Sequence, residues 1–255
     1  MCFPFDAHPP IRAIAGAAVD SEDAVLTSKD GTRFSAFVAR AEKSGGAGIV
    51  VLPDVRGLFR FYEELALRFA EEGINAVAID YFGRTAGTGK RGEEFPWMEH
   101  VSQCKADQIA ADVGVAVAYL RSPEGGSCRS VFTVGFCFGG ANSWLQAASG
   151  HGLAGAIGFY GRPGPGRDGS PGPALRAKEM ACPVLALMGG ADQGIGPDQV
   201  DELRSAFRDA HLDHEVIVYE GAPHSFFDRA YEQYADASAD AWRRTLAFVR
   251  GHSAS

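Results

Sequence analysis

Apolar and polar positions change period along the chain, and the changes divide it into elements. Residues 24–28 and 34–38 flank Lys29-Asp30-Gly31-Thr32. Phe34, Ala36 and Val38 alternate with their neighbours and Asp-Gly marks a turn, so this pattern predicts an antiparallel hairpin. Ile49-Val50-Val51-Leu52 is a short unbroken apolar run, as expected of a strand covered on both faces. Tyr62, Leu65, Ala66, Phe69 and Ala70 then recur at helical spacing, and Gly73 supplies the stop.

The alternation repeats. Strands are predicted at residues 76–79, 131–134, 156–159, 184–187 and 216–219. Between them, Ile109, Val113, Ala116, Val117 and Leu120 draw one helix face, ended by Ser122-Pro123, and residues 138–149 form a second helix. Pro197 opens a third, burying Val200, Leu203, Phe207 and Ala210. The chain closes on a helix with Tyr231, Tyr234, Trp242, Leu246 and Val249 on one side. This rhythm implies βαβ units: an α/β fold with a mostly parallel central sheet, helices on both faces and the antiparallel hairpin at its start. No repeat or long linker divides the chain. A single domain over residues 1–255 is expected, with 1–20 a loosely held arm and 251–255 a tail.

One segment fits neither period. Residues 161–173 are rich in Gly and Pro and follow a strand directly, so they lie at the carboxyl edge of the sheet, where such folds bind ligands. An active-site rim and a mobile connector are both open readings.

Composition narrows the classes. The 255 residues are 46% hydrophobic and 22% charged, with a net charge of −8, which suits a globular chain and not a disordered or coiled-coil one. An acidic surface without a Lys/Arg-rich stretch argues against nucleic acid. The N-terminus lacks the basic start and apolar run of a secretory signal, and no window reaches the roughly 18 apolar residues of a membrane span. Five cysteines at irregular spacing point to reduced thiols in the cytoplasm rather than to disulfides. A monomer is expected.

The chemistry begins at Gly135-Phe136-Cys137-Phe138-Gly139, a nucleophile elbow (G-x-S-x-G) with Cys for Ser, between a predicted strand and a predicted helix. Such a turn lifts the sulfur of Cys137 above the sheet edge at a helix N-terminus, whose partial positive charge favours thiolate. A buried core cysteine would carry the same five residues. The partners shift the balance. Asp192 and His224 each lie just past the carboxyl end of a strand, on the same sheet edge, and nucleophile–acid–histidine is the chain order of α/β-hydrolases. The oxyanion hole falls to the backbone N–H of Phe138 and, from the loop after Leu52, of Val55.

Weaker signals carry less. Gly87-Thr-Gly89-Lys-Arg-Gly92 satisfies G-x-G-x-x-G, but no helix opens there, so it is read as a flexible loop and no cofactor is expected. The pairs His211/His214 and His100/Cys104 lack further ligands, so no metal is expected. Trp97, Met98 and His100 suit a short insertion over the site or ordinary packing.

With these residues in place the chain resembles the dienelactone hydrolases, α/β-hydrolases with a Cys-His-Asp triad. The resemblance spans roughly residues 25–249 and is carried by Gly-Phe-Cys-Phe-Gly-Gly at 135–140, Met-Gly-Gly-Ala-Asp at 188–192 and His-Ser-Phe at 224–226. Asp-Tyr-Phe-Gly-Arg at 80–84 adds to it. It implies hydrolysis of an ester or lactone through Cys137, Asp192 and His224. It also implies that Asp54, where the family carries Glu, contacts and activates the resting thiol. The family's carboxylate-binding arginine four residues after the histidine is replaced by Asp228, with Arg229 next to it. Neutral substrates are therefore expected to be accepted at least as readily as anionic ones. Arg84 and Tyr160 complete the substrate-side candidates. A thioesterase or carboxylesterase on the same triad, and a non-catalytic relative that binds a small ligand, are the alternatives.

Overall fold

The computed structural model describes residues 6–14, 19–228 and 232–254. Its strands are β1 (Val19–Thr27), β2 (Arg33–Ala41), β3 (Ala47–Leu52), β4 (Asn75–Ile79), β5 (Ser130–Phe136), β6 (Gly155–Phe159), β7 (Val184–Gly189) and β8 (His214–Tyr219). Its α-helices are α1 (Arg60–Glu71), α2 (Gly83–Ala86), α3 (Trp97–Val101), α4 (Ala106–Arg121), α5 (Phe138–Gln146), α6 (Pro173–Arg176), α7 (Pro197–Asp209) and α8 (Ala235–His252). The strands form one eight-stranded sheet in the order β1-β2-β4-β3-β5-β6-β7-β8. The β1–β2 and β2–β4 pairings are antiparallel and every other pairing is parallel.

The apolar runs decide the layering. Every residue of β3, β4, β5, β6 and β7 is buried, because successive side chains alternate between two covered faces. Val50, Val77, Val131, Ala156 and Ala186 meet α4, α5 and α7 on one side. Ile49, Ala76, Phe132, Ile157 and Leu185 meet α1 and α8 on the other.

Several boundaries differ from expectation. The hairpin is longer: β1 begins at Val19 and pairs Asp20 with Arg40, so the supposed arm already contains sheet. Residues 6–14 lie against α1, where Ile14 N–H donates to Glu71 Oε2 at 3.0 Å and His8 Nδ1 lies 2.6 Å from Glu64 Oε2. At the other end α8 runs on to His252, and Ala254 N–H donates to Ser130 Oγ at 2.8 Å, so the expected tail is held. Tyr234 precedes α8 as its cap rather than lying within it; Tyr231 falls outside the described residues. Residues 87–92 are anchored rather than loose. Arg91, 8% exposed, donates from Nη2 to Asp80 Oδ2 at 2.9 Å and to the Gly87 carbonyl at 2.6 Å.

Candidate active site

Strand β5 turns into α5 through Cys137, whose φ of 56° and ψ of −112° put a non-glycine residue in the left-handed half of conformational space. The turn tolerates this because its neighbours are small. A Cβ on Gly135 would stand 1.9 Å from the Gly139 carbonyl oxygen. One on Gly139 would stand 2.1 Å from the Leu52 oxygen and 2.3 Å from the Pro53 oxygen. The second pair of distances also shows that the loop after β3 lies directly against the start of α5.

Asp192 and His224 reach the same edge from β7 and β8. The two loops are tied by Gly190 N–H to the Tyr219 carbonyl at 2.8 Å and Ala191 N–H to the Ala222 carbonyl at 2.9 Å. Asp192 is buried, and its Oδ1 accepts from the N–H groups of Gly194 at 2.8 Å and Ile195 at 3.2 Å. Its Oδ2 lies 2.6 Å from His224 Nδ1, which leaves the other ring nitrogen for a hydrogen bond with Cys137. Burial favours the neutral ring. The hydrogen bonds and charges of Asp192 and Cys137 outweigh it and hold the His224 pKa up to about 10. These contacts favour the imidazolium form.

Cys137, Asp192, His224, Phe138, Val55 and Tyr160 all line one cavity of about 780 Å³. Among the described residues neither the Phe138 N–H nor the Val55 N–H has an acceptor. Tyr160 packs its ring 5.0 Å from that of His224 and donates from Oη to Asp228 Oδ2 at 2.8 Å. Burial and the Asp228 charge raise its pKa well above the usual phenol value, so it remains a donor.

Two expected substrate-side residues stand elsewhere. Arg84 is taken up by Asp112 at 2.6 Å, Asp30 at 2.9 Å and Ser28 Oγ at 3.0 Å, and it does not line the cavity. It is an ion-pair anchor. Asp54 lies in the loop beneath the cavity, but its carboxylate accepts from Arg56, with Nη2 at 2.8 Å and the backbone N–H at 2.8 Å. Asp54 is thus half of a buried ion pair. Asp228 is also not a bare charge in the pocket: it is buried, held by Tyr160 and absent from the cavity wall. Arg162, a candidate counter-charge for an anionic substrate, lines the cavity together with Arg167. Arg229 lies outside the described residues.

The Gly/Pro segment is a wall of this cavity. Asp168 Oδ2 accepts from the N–H of Ala106 at the start of α4 at 3.0 Å, and its Oδ1 accepts from Ser170 N–H at 3.0 Å. The segment thus stands at the cavity, as the rim reading expects. Sequence pattern missed Asp168, whose partner Ala106 is distant in the chain, and Arg56, whose side chain pairs with Asp54. Burial and the Asp80 and Asp112 charges push Cys104 up to about 12, and burial pushes Cys182 up to about 11.

Comparison with known proteins follows this geometry. The profile of the dienelactone hydrolase family matches residues 34–253. The chain belongs to that family. A Salmonella typhimurium protein named "Putative carboxymethylenebutenolidase" is 30% identical over 251 residues, covering 93% of this chain and 92% of that one. Its Escherichia coli K12 namesake is 29% identical over 255 residues, covering 95% and 93%. Among solved structures, the "Putative Dienelactone Hydrolase" of Klebsiella pneumoniae superposes with a TM-score of 0.80 at 27% identity, covering 91% of this chain and 99% of that one. The fold is that of the α/β-hydrolases, and the family makes the chain a hydrolase acting on ester or lactone bonds. Among the described residues no helix is long and apolar enough to cross a membrane.

Proposed function

We propose that the protein is a cysteine hydrolase of a small ester or lactone, working through an acyl-enzyme. Cys137 Sγ attacks the carbonyl carbon, and the resulting oxyanion is received by the N–H groups of Phe138 and Val55. His224, protonated at rest, gives its proton to the leaving alkoxide as the C–O bond breaks. It then takes a proton from water, which attacks the thioester and returns the thiolate and a carboxylic acid. Asp192 keeps the ring oriented and stabilises the imidazolium. The carrying observation is that the hydrogen-bonded chain from Asp192 through His224 to Cys137 shares one cavity with two N–H groups lacking acceptors.

A thioesterase or carboxylesterase would use the same groups and differ in the leaving group. A non-catalytic binder has no use for the strained Cys137, which makes it the weaker alternative. Among the described residues Cys104, Cys128 and Cys182 form no disulfide, in keeping with a reducing, cytoplasmic setting. The test is turnover of p-nitrophenyl acetate and of a lactone panel by the purified chain. Turnover lost in C137A supports the reading, whereas turnover retained in C137A overturns it.

A further inference from the structure

In the loop between β3 and α1, four of the five backbone N–H groups of residues 54–58 have acceptors among the described residues. Pro53 has no N–H, and its carbonyl accepts from Tyr81 Oη at 2.8 Å. Asp54 N–H donates to Tyr62 Oη at 3.0 Å, and Arg56 N–H to Asp54 Oδ1 at 2.8 Å. Gly57 N–H donates to the Asp54 carbonyl at 3.2 Å, and Leu58 N–H to Asp80 Oδ1 at 3.0 Å. Among the described residues, the N–H of Val55 is the one backbone N–H of residues 54–58 without an acceptor.

Asp54 and Arg56 bracket that group. Their side chains are 1% and 5% exposed, and Arg56 Nη2 and Nε lie 2.8 and 3.3 Å from Asp54 Oδ2. The guanidinium also rests 4.4 Å from the Phe59 ring centroid. Burying two charges costs desolvation, and neither side chain lines the cavity, so the pair is not there to meet substrate directly. What the pair does is close a side-chain ring across residues 54 to 56, which restrains the dihedrals of the peptide carrying the Val55 N–H. The alternative conformations of a five-residue loop are thereby removed before substrate arrives, the condition for a preorganised donor.

We propose that Arg56 is a positioning residue for the oxyanion hole: paired with Asp54, it holds the Val55 N–H where the oxyanion forms. Asp54 is then half of a loop clasp rather than the partner of the thiol. This inference rests on the hydrolase reading above.

The test uses the full chain, p-nitrophenyl acetate and the variants R56Q, R56K, D54N and D54N/R56Q. R56Q and D54N each lower kcat about tenfold to a hundredfold with KM little changed, less than the roughly hundredfold to thousandfold loss that follows removal of an oxyanion donor itself. The double variant loses no more than the worse single, and R56K recovers part of the loss. Affinity for a trifluoromethyl ketone, a tetrahedral mimic, falls by the same factor as kcat. The pH profile of Cys137 alkylation by iodoacetamide stays that of the unsubstituted protein, because alkylation forms no oxyanion. The double variant holds no lone buried charge, so it carries the test if a single variant fails to fold. Folded variants with unchanged kcat and ketone affinity would overturn the proposal, as would a D54N that shifts the alkylation profile where R56Q does not. An unsubstituted protein that turns over no ester overturns the hydrolase reading, and this inference with it.

Discussion

Cys137 occupies a conformation that costs an L-residue about 1–3 kcal/mol, and the turn between β5 and α5 enforces it. Because the turn and not the thiol sets the backbone, Cys137→Ala should keep the melting temperature and lose hydrolysis; activity above a few per cent would remove Cys137 from the nucleophile's role. Iodoacetamide should label Cys137 ahead of Cys104 and Cys182, whose pKa values lie near 12 and 11, as peptide mapping would show. His224 ties the site to stability. Its pKa rises from 6.5 to about 10 on folding, so its contribution is complete below about pH 6.5 and is lost as pH climbs through 10. Urea midpoints between those pH values should fall less steeply in His224→Gln than in the unsubstituted protein. Arg162 and Arg167 face the same cavity. Replacing both with Gln should lower kcat/KM for a carboxylate-bearing ester severalfold more than for its methyl ester, and equal losses would leave them without a part in recognition. A motif names Cys137 because elbow chemistry is local, whereas no motif shows that Asp112 holds Arg84 or that Arg56 holds Asp54.

The central strands are legible because their burial is uniform. The runs in β3, β4, β5 and β7 are covered on both faces, so apolar continuity marked them. Strand β1 was half missed because it lies at the sheet edge and carries Asp20, Glu22 and Asp23; its early residues pair through β2, and Arg40 meets Asp20 and Glu22. The start of α8 was misplaced for a similar reason: Tyr234 packs with the core without being helical. Residues 161–173 offered no period, and their order comes from Asp168 capping α4. Asp168→Ala should release this wall, raising KM more than it lowers kcat and exposing the segment to limited proteolysis. If the cleavage pattern and KM stayed unchanged, other contacts would be holding the loop. Helix α5 has a stricter limit. Gly139→Ala places a Cβ 2.1 Å from the Leu52 oxygen, so it should cost about 2 kcal/mol or more and cut activity by pushing Val55 away from Phe138. Thermal unfolding and ester turnover of that variant check both effects.

At the scale of the whole molecule, one eight-stranded sheet brings together residues distant in the chain. Cys137 follows β5, Asp192 follows β7, His224 follows β8, and Val55 follows β3, all at the carboxyl edge. Chain order and strand ends made that convergence legible before the fold was known, since parallel strands send every loop that follows them to the same edge. The loop contacts at that edge were not legible, because they depend on side chains from β4 and α1, such as Tyr81 and Tyr62, meeting the β3 loop. The family match over residues 34–253 agrees with a site built from the whole sheet. The account stands or falls on the acyl-enzyme. The protein is mixed with excess p-nitrophenyl acetate, quenched in acid during turnover, and its peptides are weighed. An acetyl group on the Cys137 peptide, absent when C137A is treated alike, is the predicted result. Steady turnover with no acetyl on Cys137, or with the acetyl on another residue, would contradict it.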